Sequence, residues 1–180
     1  EAIREATEQE MTRDASVILF GQGVDYDRGL LGTTKGLVNK FGSKRVFDTP
    51  LSEDGMTGVS IGAALSGLRP IHTHVRMDFL TLAMNQLINI AAKAHYMYAG
   101  AVKVPLVVRT LIGDGWGAQH SQGLHSLFAN IPGIKIVAPT TPSDAKGLLT
   151  QAIRDNNPVI FIEHFKLYAE TGHVSEKPYA

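Results

Sequence analysis

Val17-Ile18-Leu19-Phe20, followed at once by Gly21-Gln22-Gly23, is the stretch that decides the fold. It is a run of apolar residues with no polar alternation, cut off by glycine. That is the pattern of a strand buried on both faces, and such strands build parallel sheets covered by helices. Similar runs are predicted as strands at residues 45–49, stopped by Pro50, and at 70–75, 105–109, 134–138 and 158–163. Between them the spacing predicts helices at 2–13, 28–41, 55–67, 79–98, 123–130 and 142–156. Ile3, Ala6 and Met11 share one face of the first. Gly42 caps the second, and Pro142 opens the last in its first turn. In the helix at 79–98, Leu82, Gln86, Ile90 and Ala94 fall in one register, with Leu87 and Ala91 beside it. Alternating strands and helices predict the α/β class: a three-layer sandwich with a mainly parallel sheet and helices on both faces.

Composition narrows the function classes. The chain has 180 residues, enough for one domain with a core, with 44% apolar and 19% charged residues. Lys+Arg and Asp+Glu both count 17, so there is no electrostatic footprint for nucleic acid or an anionic membrane. A neutral surface favours association with other chains. The absence of cysteine excludes disulfides, thiolate catalysis and thiolate metal sites, and fits a reducing compartment. No apolar run reaches the roughly 18 residues of a membrane span. The opening residues read as a folded helix and not as a signal or transit peptide. The polar stretch 172–180 closes no element, which predicts a piece of a longer chain.

Ligands of parallel sheets bind beyond the carboxyl ends of the strands. That rule selects residues 21–27, 49–55, 76–79, 110–122 and 139–143. Glu53, in Leu51-Ser52-Glu53, has two readings: a carboxylate favoured by a helix dipole, or a partly buried acid that keeps or shares a proton. Four glycines in the helix at 55–67 cost about 1 kcal/mol each relative to alanine, which calls for close packing on the sheet, a partner or a ligand. His120, in Ala118-Gln119-His120-Ser121-Gln122, is the best placed histidine for proton handling, or else it orders its turn. His72 and His74 share one strand face but lack a third metal ligand at helpful spacing. His95 and His125 read as helix-surface or interface residues. Ser52 and Ser121 lack a nucleophile-elbow context, which argues against hydrolase chemistry. Gly113-Asp114-Gly115 opens like a thiamine-diphosphate metal motif. Its asparagine pair, Asn156-Asn157, comes too late, so the stretch reads as a tight loop. No Walker sequence or dinucleotide turn is present. Phe79 is either a core aromatic or a stacking face for a flat ring.

Several segments together resemble a known family. They are Glu5-Ala6, Glu10-Met11 and Arg13-Asp14; Phe47-Asp48-Thr49-Pro50-Leu51-Ser52-Glu53 with Gly55 and Gly58; and Gly62-Ala63-Ala64 with Gly67-Leu68-Arg69-Pro70. They continue with Asn85-Gln86-Leu87-Ile88-Asn89 and Ala91-Ala92-Lys93, Ala118-Gln119-His120-Ser121-Gln122, Pro132-Gly133-Ile134-Lys135, Asp144-Ala145-Lys146-Gly147-Leu148 and Asp155-Asn156-Asn157-Pro158. In this order and spacing, to about Tyr168, the chain resembles the transketolase-like pyrimidine-binding domain of thiamine-diphosphate enzymes. More closely, it is similar to the beta subunit of the decarboxylating component of 2-oxoacid dehydrogenases such as pyruvate dehydrogenase.

The resemblance implies a cofactor and roles. Glu53 would hydrogen-bond the aminopyrimidine ring of thiamine diphosphate, with Ser52, Val75 and Phe79 around that ring. His120 would handle the substrate and acyl transfer to a lipoyl group. The backbone carbonyls of Leu106, Ala152, Ile153, Asp155 and Asn157 would hold a structural potassium. Magnesium and the diphosphate would be held by an alpha subunit, in a heterotetramer with a second beta subunit. A lipoyl-bearing acyltransferase and a small 2-oxoacid would be the other partners, in the cytoplasm, or in the mitochondrial matrix of a eukaryote. Residues 1–168 would be the pyrimidine-binding domain and 169–180 a tail or linker to a carboxy-terminal domain. The same resemblance admits a subunit of an acetoin- or diketone-cleaving thiamine enzyme, or a noncatalytic assembly subunit. Three stretches depart from the family pattern: Gln22 stands where an acid is usual, Thr73-His74-Val75-Arg76-Met77-Asp78 is atypical, and the loop at 111–116 is short.

Overall fold

The structure is a computed structural model and describes residues 1–113 and 115–179. In chain order its elements are α1 (Ala2–Arg13), β1 (Val17–Gly21), α2 (Leu37–Phe41), β2 (Val46–Asp48), α3 (Glu53–Leu65), β3 (Arg69–His74), α4 (Met77–Leu80) and α5 (Ala92–Met97). β4 (Val107–Ile112), α6 (His125–Ala129), β5 (Lys135–Val137), α7 (Pro142–Arg154) and β6 (Val159–His164) follow. All pairings among the six strands are parallel, in the order β2-β1-β3-β4-β6-β5. The α/β sandwich expected from the alternating pattern is the one observed.

Strand alternation divides the core into two halves. Val17, Leu19, Ile71, Val107, Val159 and Phe161 face α1, α2 and α7. Val108, Ile160 and Ile162 face the other way, against Ile61 and Ala64 of α3, Met77 and Leu80 of α4, and Phe128 of α6. Burial on both faces is why these strands carry no polar alternation. The parallel pairing places every strand's carboxyl end at one edge of the sheet.

Three helices differ from expectation. Residues 28–41 do not form one helix: a single 3-10 turn (Leu30–Gly32) precedes the short α2. Gly29, Gly32 and Gly36 all take positive φ (58°, 83° and 77°), which breaks the helical hydrogen-bond ladder. Gly42 does close α2, at a φ of 79°. The long helix expected at 79–98 starts at Met77 and changes winding, through a 3-10 turn (Thr81–Ala83) and a π segment (Asn85–Ala91) into α5. The register shifts accordingly: Leu87, Ala91 and Ala94 are buried, whereas Leu82 and Ile90 are exposed. α3 begins two residues earlier than expected, so Glu53 lies inside the helix as its first residue. Of its glycines, a Cβ at Gly58 would lie 4.0 Å from the Gln86 side chain, while one at Gly62 would meet nothing within 4 Å among the described residues.

The segment after Ala169 runs back over the outer face. Gln9 donates to the Glu176 carbonyl, Arg154 to that of Tyr179, and the buried Lys146 to those of Ser175 and Lys177. A cavity of about 540 Å3 lies on the same side, lined in part by Glu5, Pro142, His164 and Tyr168.

Candidate active site

The carboxyl ends of β1, β2 and β3 meet at a close backbone approach. Gly21 has a φ of 139°, and a Cβ there would lie 2.3 Å from the Thr73 carbonyl oxygen, so only glycine fits. Beyond it the chain turns away. The Gly23 amide donates to Asp48 at 2.7 Å and the Asp48 amide donates to Asp25 at 3.2 Å. Gln22, Tyr26, Leu30, Thr49, Leu51 and Val75 line a concavity of about 430 Å3 between these turns. Val75 and Gln22, singled out for different reasons, therefore share one wall.

Glu53 follows Leu51 and Ser52 directly and is half-buried at the first turn of α3. Among the described residues, none hydrogen-bonds or ion-pairs its carboxylate. Its backbone is tied down: Thr57 donates to the Glu53 carbonyl at 2.7 Å, and the same hydroxyl lies 3.1 Å from His74 Nε2 on β3. The Ser52 side chain makes no cap hydrogen bond, which leaves the first amides of the helix open at this end.

His72 and His74 lie side by side on β3 with ring centroids 4.3 Å apart. Burial pushes His74 down to about 4, and burial with His74 alongside pushes His72 well below its ordinary value. Both imidazoles are therefore neutral near pH 7. Among the described residues no group of three histidines, cysteines or acids is arranged to hold a metal.

Phe79 and His120, 41 residues apart in sequence, meet edge to face with ring centroids 5.2 Å apart. The loop carrying His120 is pinned by Asp78: its Oδ1 accepts from the Gln122 amide at 3.1 Å and from Gln122 Nε2 at 2.8 Å. Gly115 and Gly117 supply the positive φ that turns this loop. Asp114, the middle of the Gly-Asp-Gly stretch, lies outside the described residues.

The carbonyls named for potassium lie at the opposite, amino edge of the sheet, ahead of β4 and β6. Those of Ile153 and Asp155 converge on Arg69 Nη1, each at 3.0 Å. The Leu106 carbonyl accepts from the Val159 amide and that of Ala152 from the Asp155 amide. Each oxygen keeps a second lone pair. The end of α7 is the negative end of a helix dipole, and the Arg69 guanidinium is the cation that meets it.

Sequence reasoning did not assign Thr57, Asp78 or Gln122, nor a buried ion pair between Arg109 and Glu163 at 2.6 Å. Thr33 accepts from Arg109, and Tyr168 donates to Glu163. A signal did exist: Arg109 and Glu163 are single charges inside apolar strand sequences. The register places Glu163 opposite Leu111, two residues beyond Arg109 and so on the same face.

The chain is similar to several proteins of known type. It is 50% identical over 191 positions to the acetoin:2,6-dichlorophenolindophenol oxidoreductase subunit beta of Cupriavidus necator, covering 99% of this chain and 56% of that one. It is 46% identical over 181 positions to the pyruvate dehydrogenase E1 component subunit beta of Chaetosphaeridium globosum, with the same two coverages. It is 43% identical to the mitochondrial subunit beta-1 of that component in Arabidopsis thaliana, covering 98% of this chain and 49% of that one. The chain thus spans about half the length of the curated relatives it matches. In structure it resembles a split gene transketolase solved as an inactive beta4 tetramer, with a TM-score of 0.73 at 15% identity over 91% of this chain and 49% of that chain, a likeness of fold. The family described as "Transketolase, pyrimidine binding domain" matches residues 1–170, and the chain belongs to it.

Proposed function

We propose that this chain is the pyrimidine-binding part of the beta subunit of a thiamine-diphosphate-dependent 2-oxoacid dehydrogenase. The carrying observation is Glu53: a half-buried carboxylate, without a protein partner among the described residues, fixed at the first turn of α3 beside a concavity at the strand ends. That is what a group waiting to share a proton with a ring nitrogen requires. When bound, thiamine diphosphate supplies the carbanion-stabilising chemistry that the protein side chains lack.

The chain's own residues then orient and gate. Glu53 holds a proton at its carboxylate toward the ring nitrogen, with its helix anchored through Thr57 to β3. Ser52, Val75 and Phe79 bound the ring's position, and Val75 gives it an apolar wall. His120, held edge to face on Phe79, passes a proton to or from the substrate side. Magnesium and the diphosphate fall to an alpha subunit, and potassium to the amino-edge carbonyls of Leu106, Ala152, Ile153, Asp155 and Asn157. Residues 1–168 form the working domain and 169–180 lead to a further one. A second beta subunit, a lipoyl-bearing acyltransferase and a cytoplasmic or matrix location complete this reading. Among the described residues no helix is long and apolar enough to cross a membrane.

An acetoin- or diketone-cleaving subunit is the second reading, favoured by the name of the 50% identical relative. The test reconstitutes the full-length beta chain with its alpha chain. Decarboxylation or acyloin cleavage is expected from the pair and not from the beta chain alone. Glu53→Gln should lower turnover at least about a hundredfold with an unchanged melting temperature. Near-normal turnover in that variant removes Glu53 from the mechanism. Absence of thiamine-diphosphate binding by the pair favours a noncatalytic assembly role.

A further inference from the structure

Arg76 stands where β3 has just ended, at the residue before α4, and is only 8% exposed. Among the described residues its Nη1 has no hydrogen-bond partner and no carboxylate pairs with it. Its guanidinium lies over the Trp116 ring, 4.1 Å from the centroid. Trp116 belongs to the loop after β4 and is itself half-exposed, leaning edge-on against Phe165. The acid nearest in sequence, Asp78, is turned to Gln122 and holds the His120 loop. Arg76 therefore sits where the two segments bearing Phe79 and His120 come together, and next to Val75 of the concavity wall.

A buried guanidinium without an anion costs several kcal/mol. A cation–π contact returns at most about 2 kcal/mol of that. A planar carboxylate offers the matching bidentate geometry. The carboxylate lost in decarboxylation is a poor candidate. A guanidinium clamped on it stabilises the charged ground state more than the transition state in which that charge disperses. The group suited to Arg76 is an anion that survives turnover.

We infer that Arg76 is a specificity-determining residue that binds the second, non-reacting carboxylate of a dicarboxylic 2-oxoacid, with Trp116 holding its guanidinium in place. The inference rests on the proposed thiamine-dependent reading of the site and narrows its substrate class.

The experiment uses the reconstituted pair of full-length beta chain and alpha chain. kcat/KM is measured for 2-oxoglutarate and for 2-oxopentanoate, which has the same chain length without the second carboxylate. The dicarboxylic acid should be preferred by about a hundredfold, the scale of a buried charge pair. Arg76→Ala should bring the ratio to near one, mostly through KM, and Arg76→Lys should restore part of it. Three outcomes overturn the inference. If the wild-type pair prefers the monocarboxylic acid or acetoin and Arg76→Ala leaves that preference in place, the proposed role falls while the thiamine-dependent reading stands. If Arg76→Ala weakens association with the alpha chain and leaves the ratio unmoved, Arg76 is an interface residue for an acid of that chain. If the wild-type pair binds thiamine diphosphate but turns over neither 2-oxoacid nor acetoin, both the substrate reading and this one fall.

Discussion

The two fully buried charges on α1 and α7 have protein partners, whereas the middle of the sheet and the turn beyond β3 bury polar atoms without any. On the outer face, Glu10 accepts from Arg13 at 2.8 Å and from Arg154 at 2.9 and 3.1 Å. Lys146, fully buried, pairs with Glu5 at 3.0 Å and donates to two carbonyls of the returning tail. Burial pushes Glu10 up, but the hydrogen bonds from Arg154 and Arg13 outweigh it and hold the carboxyl below its usual range. Against this, the six unpartnered buried side-chain atoms among the described residues all fall on two adjacent strands and their extension: His72, Thr73, Arg76, Asp78, Arg109 and Thr110. An unsatisfied buried group costs about 1–3 kcal/mol. The belt over α1 and α7 is finished by the chain itself. The line from β4 through β3 to Asp78 is not, and four of its six atoms lie in the stretch that runs into the candidate site. Unmet polar capacity among the described residues is thus concentrated along β3 and β4 and toward the candidate site.

The comparison is broken most directly at Arg109, where the unfinished line carries its one buried ion pair. Burial pulls the guanidinium's affinity for its proton down, and Glu163 beside it more than reverses that. Arg109→Leu leaves Glu163 buried with only Tyr168 for support, and should cost about 3–5 kcal/mol in urea denaturation. The double change with Glu163→Leu should recover most of that loss, because no lone charge remains. If the single change costs less than about 1 kcal/mol, the pair is reached by water and does not belong to the dry interior.

A smaller effect is set by pH and acts on the same line. His72 and His74 have folded values depressed below the ordinary imidazole value near 6.5, His74 to about 4. The unfolded chain therefore binds more protons than the folded one between those values. Stability is complete above about pH 6.5 and falls as pH drops toward 4, by about 1.4 kcal/mol per pH unit for each histidine. Glu10 and Asp14, depressed carboxyls of the outer belt, keep their contribution above the ordinary carboxylate range and lose it only at lower pH. The two regions thus fail in different windows. His74→Asn should flatten the melting-temperature profile between pH 6.5 and 4 and leave the steeper acid limb intact. An unchanged slope would show the histidines to be hydrated.

Much of this contrast was legible in the chain, and the rest has identifiable physical reasons for being hidden. Apolar runs such as Val17–Gly21 report two-sided burial directly, so the sheet and its carboxyl edge could be placed. The edge rule then selected the segments holding Glu53, Phe79 and His120. Their roles came only with the resemblance, since a carboxylate at a helix start looks the same whether it caps or shares a proton. The break at Gly29, Gly32 and Gly36 was missed because composition does not state the sign of φ. The π segment was missed because its widened winding leaves no trace in a helical period. The Arg109–Glu163 pair needed the β4–β6 register, which sequence spacing alone does not fix. Arg76 lay inside a stretch marked as atypical, but which way a residue faces beyond a strand's end is settled only by the loops that pack on it.

The mildest perturbation lies on the finished side and separates its buried layer from its exposed one. Glu8 takes Lys40 at 2.7 Å and also pairs with Arg4. A hydrogen bond from Lys40 lowers its carboxyl, partial burial works against that, and the nearby charges of Lys40 and Arg4 add to the lowering. Yet Lys40 is about half exposed, so its side chain stays hydrated and mobile when unpaired. Lys40→Ala should therefore cost only about 0.2–1 kcal/mol, shrinking as salt rises toward the Debye regime of a few ångströms. Glu10→Gln, by contrast, removes the charge from a buried carboxylate that takes both Arg13 and Arg154, so its cost should be larger and less sensitive to salt. Equal costs and equal salt sensitivity for the two changes would mean that the outer face holds one solvated charge layer. The contrast with the unfinished interior would then rest on exposure alone and not on pairing.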